Sequence, residues 1–230
     1  MTQSSPFAIV AGAGSGLGIS LMKKFAADGY KVVGLNRSLP TTKDASKFDI
    51  RVVDLTDEIA TSSMIQALVT EYGAPKLVVH NTAQLIIAPF SETSADDFEN
   101  CWRSMALSAF VMAKSLMPVM ADNGGGTFIV SGATASLRGS AKFSAFSSAK
   151  FALRGLTQSL AREYQPLGVH VVHTILDGII DTENSRALHN MEPSKMMKPE
   201  DIAEVYLGLS QQPKSTWMHE CDLRPFSGNF

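Results

Sequence analysis

The chain has 230 residues, 45% of them hydrophobic, with 17 glycines and a formal net charge of −2. That size and apolar share suit one domain with a substantial core, and the near-neutral charge argues against nucleic acid or an anionic membrane surface as partner. The two cysteines, Cys101 and Cys221, have no metal-ligand spacing and make a thin disulfide framework, so reduced thiols in the cytoplasm are expected, with no metal.

The N-terminal residues show no basic stretch leading into an apolar one, so no signal peptide is expected. Residues 7–11 are a short apolar run that predicts a buried strand. Residues 17–28 predict a helix with Leu17, Leu21 and Phe25 on one face. Strands are predicted at 31–35 and 51–53, then a helix at 57–72 with Ile59, Met64, Leu68 and Tyr72 as its stripe. A strand at 76–80 follows, then a long helical region at 96–121, as one helix or two. Gly124-Gly125-Gly126 breaks it before a strand at 127–130. A helix at 144–164 and a strand at 169–176 complete the alternation. Pro199-Glu200-Asp201 opens a last helix, with proline in the first turn and carboxylates near the positive end of the dipole. No apolar run approaches bilayer length.

This βαβα order predicts an α/β fold: a single Rossmann-type domain over residues 1–230, with a doubly wound parallel sheet flanked by helices. No repeat or compositional break marks a second domain. Residues 179–198 are the least regular part and follow a strand end, where a substrate-covering loop would sit.

Gly12-Ala13-Gly14-Ser15-Gly16-Leu17-Gly18 lies between the first strand and the first helix. Glycine allows a tight turn there and lets backbone approach a pyrophosphate, while the helix start offers free N–H groups. The spacing of Gly12, Gly16 and Gly18 resembles the short-chain dehydrogenase/reductase family. Four further segments carry the resemblance: Asp54-Leu55, His80-Asn81-Thr82-Ala83, Phe146 to Lys150, and Asp177-Gly178-Ile179-Ile180-Asp181-Thr182. The resemblance implies that Asp54 and Leu55 meet adenine. It also places Asn81, Thr82, Ala83, Gly178, Ile180 and Thr182 along the cofactor. At the end of the second strand, neutral Asn36 precedes Arg37. An acid there would favour a ribose hydroxyl, whereas a guanidinium pairs with a phosphate, so NADP(H) is favoured over NAD(H).

The catalytic side is uneven. The family's lysine is matched by Lys150, but Phe146 stands where its tyrosine proton donor belongs. Ala133 stands at its serine and Met105 at its asparagine. A one-residue slip would bring Thr134 near the serine's place. Lys150 falls within the apolar stripe of Phe146, Ala149, Leu153, Leu156 and Leu160, so it needs a partner, and the ribose hydroxyls of a cofactor suit it. Asp177 is a speculative proton donor if desolvated, although capping the next turn suits an aspartate better. Ser131, Thr134 and Ser147 are hydroxyls without a base. His80 is expected near the adenine-ribose side, too far to act, and His170 and His173 are expected to be structural or surface residues.

Two readings follow. One is an NAD(P)(H)-dependent oxidoreductase on an unknown carbonyl or alcohol, with a non-standard or weakened proton donor. The other is an inactive dinucleotide-binding protein, a sensor or scaffold; a lyase or isomerase on the same fold is a weaker third. The family's habit of pairing long helices between subunits implies a homodimer or homotetramer. The C-terminal stretch from Trp217 departs from the family's glycine-rich close and reads as an edge strand plus a packing tail.

Overall fold

The computed structural model describes residues 5–228. Strands β1 (Phe7–Ala11), β2 (Lys31–Asn36), β3 (Asp49–Val52), β4 (Leu77–His80), β5 (Gly126–Ser131), β6 (Val169–Leu176) and β7 (Glu220–Leu223) form one sheet in the order β3-β2-β1-β4-β5-β6-β7. Every pairing in it is parallel. Parallel strands covered on both faces should be apolar throughout, and β1, β4 and β6 are buried along their whole length.

Period-two alternation divides the core into two layers. Phe7, Ile9, Ala11, Phe128 and Val130 face one side with Leu68, Met112, Leu116 and Leu153. These last four come from α2 (Glu58–Tyr72), α4 (Ser108–Asp122) and α5 (Ser144–Tyr164). Ala8, Val10, Ile129 and Val172 face the other side with Leu21, Phe25, Ile202 and Tyr206. Those come from α1 (Leu17–Ala27) and α7 (Pro199–Ser210).

Three expectations are corrected. The third strand begins two residues earlier than the apolar run, at Asp49, because Arg51 closes on Asp49, Glu71 and the Tyr72 hydroxyl, which holds a polar strand at the sheet edge. In α2 the expected Leu68 is buried and Met64 and Tyr72 pack against the core, but Ile59 is 81% exposed, and Thr61 and Ile65 are buried in addition. The long helical region is α3 (Ala95–Trp102), a π-helical turn at Arg103–Leu107, and α4. A Ser94–Asp97 capping box starts it. The resulting 28-residue stretch Ala95–Asp122 is long and apolar enough to cross a membrane, contrary to the sequence expectation, yet more than half of its apolar window is buried inside the protein.

Residues 179–198 contain the short helix α6 (Glu183–Leu188), capped by Thr182, and a bridge from Ile180 to Met197. The last strand is the expected edge strand. It is tied to α5 by Arg154, which donates to Glu220 at 2.7 and 2.8 Å. The strand order reverses between β1 and β4, and a crevice opens at the carboxyl ends there.

Candidate functional site

The glycine turn is built for close backbone approach. Gly12 has φ +79°, and its N–H and that of Ala13 both donate to the Leu35 carbonyl, at 2.9 and 3.2 Å. A β-carbon on Gly12 would lie 2.7 Å from the Asn81 carbonyl oxygen, and one on Gly18 would overlap the Gly12 carbonyl oxygen. Gly16 faces the Thr182 methyl, whereas Gly14 has open space above it. No side chain caps the start of α1 and no acid lies in its own first turn; Glu200 of α7 reaches only the Ser20 hydroxyl, at 3.2 Å. The Leu17 side chain is buried in the core, so only its backbone can serve the turn.

From this turn a trough of about 220 Å³ runs along the strand ends, lined by Gly12, Gly14, Asn36, Arg37, Asp54, Leu55, Asn81, Thr82 and Ala83. Asn36 turns its amide to the Ser38 carbonyl at 2.8 Å. Arg37 is exposed and has no ion-pair partner among the described residues. Asp54 accepts from the Thr56 N–H (2.9 Å) and hydroxyl (2.8 Å); those bonds hold its carboxyl below the usual range and orient it. Ser15 is exposed and, with Gly16 and Thr182, lines a neighbouring hollow beside Lys23 and Arg186.

Asn81 and Ala83 are shared with a larger cavity of about 640 Å³. Its walls carry Leu85, Ile87, Phe143, Phe146, Ile179 and Ile180, and its polar positions include Thr134, Lys150 and Asp177. Gly178 lines it too, packed against Pro225 and Met197. Ser185 and His189 bring the 179–198 segment to the wall.

Lys150 is 3% exposed and donates to the Ser131 carbonyl at 2.7 Å. Its Nζ lies 5.6 Å from the centre of the Phe146 ring. No carboxylate is bonded to it among the described residues, and burial lowers its pKa to about 8. Phe146 meets Phe143 edge-on at 6.4 Å, and Met105 is fully buried in the same core layer, on the π turn. The Ser131 hydroxyl points away from the cavity to the Tyr206 hydroxyl (2.9 Å), which also bonds Thr174. The Ser147 hydroxyl is enclosed without a partner.

Asp177 does not cap the following turn. It accepts from the Thr134 hydroxyl through one oxygen and pairs with Arg224 through the other, at 3.3 Å. Both carboxyl oxygens are thus engaged by partners within the protein. Arg224 in turn grips Asp222 with two nitrogens.

His80 stands behind the trough, whose lining includes both of its side-chain partners. It is buried and bonded through Nε2 to Ser108 (2.8 Å) and Thr82 (3.0 Å). Burial and then the charge of Lys150 lower its pKa to about 3, which leaves it a neutral structural group. His170 and His173 are both buried: the first stacks on Trp217 at 4.7 Å, and the second bonds Thr157 and Ser136. Sequence reasoning missed the Thr134–Asp177–Arg224 chain. Its only signal was the departure of Arg224-Pro225 from the usual close. Cys101 and Cys221 are free, and no group of three metal-binding side chains occurs among the described residues.

Comparison with known proteins agrees with this geometry. The sequence pattern of the short chain dehydrogenase family matches residues 6–193. The uncharacterized oxidoreductase YxjF of Bacillus subtilis is 30% identical over 184 residues, covering 76% of this chain and 71% of its own. A crystal structure of a short-chain dehydrogenase from Rhodopseudomonas palustris is 32% identical, covers 96% of this chain and 99% of its own, and has a TM-score of 0.79. An alcohol dehydrogenase from the archaeon Thermococcus sibiricus, solved with 5-hydroxy-NADP, shares the fold at a TM-score of 0.86 and 21% identity, covering 97% and 98%.

Proposed function

The chain belongs to the short-chain dehydrogenase family, and on that basis we propose that it is an oxidoreductase that binds NADP(H) in preference to NAD(H) and works without a proton donor at residue 146. The observation that carries this reading is Lys150. A buried ammonium with no carboxylate partner, held where trough and cavity meet, is costly to the fold unless a ligand uses it.

The trough fits a dinucleotide by its own features. Gly12, Gly16 and Gly18 let the turn pack closely on Asn81, Thr182 and its own backbone, Gly14 leaves open space above it, and the start of α1 is presented uncapped to a pyrophosphate. Arg37 is an unpaired guanidinium beside the trough and suits a ribose phosphate. Asp54 is pre-oriented to accept from an adenine amino group. Lys150 would donate to ribose hydroxyls, as it now does to the Ser131 carbonyl. A bound reduced nicotinamide supplies hydride, and the oxidised form accepts it. The crystal structure of the archaeal alcohol dehydrogenase holds an NADP derivative on the same fold, which supports the choice of cofactor.

The protein's part in the chemistry is to orient and to exclude water. Phe146 and Phe143 dry the lysine side of the cavity, and Asn81 and Ala83 join the two compartments. A second reading, a binding protein without turnover, is favoured by the joint presence of Met105, Ala133 and Phe146. A homodimer or homotetramer is supported by the exposed Phe98, Trp102, Phe110 and Phe151 on the long helices. The free thiols support a cytoplasmic location, which fractionation into an oxidising compartment would overturn.

The test is a fluorescence titration with NADPH and NADH, on the wild type and on Arg37→Ala. NADPH should bind tighter, and the substitution should weaken it about tenfold while leaving NADH unchanged. Equal affinities would remove the preference, and no binding of either would sink both readings.

A further inference from the structure

We propose that the large cavity takes a protonated cyclic imine, an iminium cation, rather than a neutral ketone or aldehyde. This rests on the hydride-transfer reading above and names the substrate class of the same site. A ketone oxygen gains negative charge as hydride reaches its carbon, so it needs a hydrogen-bond donor and finally a proton. Phe146 and Ala133 bring neither to the wall. Thr134 has the hydroxyl at that corner, but its proton is committed to Asp177, so it shows the cavity only a lone pair. The Ser131 hydroxyl is turned away to Tyr206.

The corner is also negatively biased. Asp177 and Asp222 share the single guanidinium of Arg224, and the Asp177 side chain is 16% exposed, toward the cavity it lines. A carboxylate and an aromatic face are what a cation with an N–H seeks. The rest of the cavity is apolar through Leu85, Ile87, Ile179 and Ile180, which suits a hydrocarbon ring. Lys150 is the competing cation on this wall. Its ammonium is committed to the Ser131 carbonyl at 2.7 Å and pairs with no carboxylate among the described residues, so Asp177 does not spend its charge on it.

The chemistry balances without a proton from the protein. The iminium carbon accepts hydride from the reduced nicotinamide, a C–H bond forms, and the C=N π pair becomes the nitrogen lone pair. The substrate is reduced to a neutral amine, and the nicotinamide is oxidised and carries the positive charge away. The losses of about 10²–10⁴ for a missing general acid and about 10²–10³ for a missing oxyanion donor then fall on a ketone alone.

The experiment compares dihydroisoquinoline and methylpyrroline with tetralone and cyclopentanone, at saturating NADPH, each over its rate without protein. The imines should be preferred by at least about 10²-fold. Asp177→Asn should raise the imine KM about tenfold and leave kcat within about twofold, because the carboxylate stabilises a charge that the reaction removes. Independently of turnover, calorimetry on the protein saturated with NADP⁺ should show tetrahydroisoquinolinium binding, weakened about tenfold by Asp177→Asn. Asp177→Ser, which also removes the carboxylate, should weaken it by a similar factor and serves as the second variant if Asp177→Asn does not fold. Ketones consumed as fast as imines, no imine reduction by protein that binds NADPH, or binding indifferent to Asp177→Asn would overturn the proposal and leave the cofactor reading standing. Failure to bind NADPH would remove that reading and the proposal with it.

Discussion

Replacing Lys150 by methionine should make the free protein more stable and the cofactor-bound protein less so. The lysine is 3% exposed, and its partner is a neutral carbonyl. Burial takes its pKa from 10.5 to about 8, which at ~1.4 kcal/mol per pH unit is a cost of about 3 kcal/mol at neutral pH. Methionine has similar reach and no charge, so most of that cost disappears, less about 1 kcal/mol for the lost hydrogen bond. The net gain is about 1–2 kcal/mol, or roughly 2–8 °C in Tm for a chain of this size. The pH dependence gives a second check. The folded lysine releases its proton near pH 8, while the unfolded one holds it to about 10.5. Between those values the unfolded state binds more protons, so wild-type stability rises with pH and the gap to the variant closes. Urea unfolding at pH 7 and pH 10, with and without NADPH, measures all of this. A variant that is less stable at pH 7, or a gap that does not change with pH, would refute the view of Lys150 as a charge kept for a ligand.

Gly18→Ala should cost at least about 2 kcal/mol in thermal or urea unfolding and abolish dinucleotide binding, since its β-carbon would meet the Gly12 carbonyl; unchanged binding would mean the turn is not the cradle. Phe146→Tyr combined with Ala133→Ser should raise NADPH-dependent ketone reduction at least about tenfold, by placing a hydroxyl beside Lys150 and a donor at the corner. No gain from the pair would show that the obstacle lies elsewhere, with Met105 the next residue to exchange. Light scattering should give a multiple of the chain mass, and Phe110→Glu with Phe151→Glu should lower it; a monomeric wild type would end that reading.

The order of strands and helices was readable because each strand is a short apolar run between turn residues, and burial on both faces leaves few other places for such runs. The glycine turn was readable because its chemistry is local. What escaped the sequence depends on distance or on small backbone shifts. The π turn at Arg103–Leu107 changes hydrogen-bond partners by one residue and leaves the apolar spacing looking helical. The burial of Thr61 and Ile65 in place of Ile59 accompanies the packing of α2 on α4, which a stripe of four residues cannot foretell. Asp177 finds its partners 43 residues earlier at Thr134 and far later at Arg224, and no spacing rule connects them. Lys150 was readable as a buried charge, but its carbonyl partner, 19 residues earlier at Ser131, was not.

Arg224 lies beyond residues 6–193, the part of the chain that the family pattern covers. During synthesis the glycine turn, the lysine and the apolar walls emerge first, and they can assemble on the sheet before the last strand exists. The guanidinium that steers Asp177 follows later in the chain and docks when β7 adds to β6. A nascent or C-terminally clipped chain would therefore present a cleft able to hold a dinucleotide but with its charged corner unset.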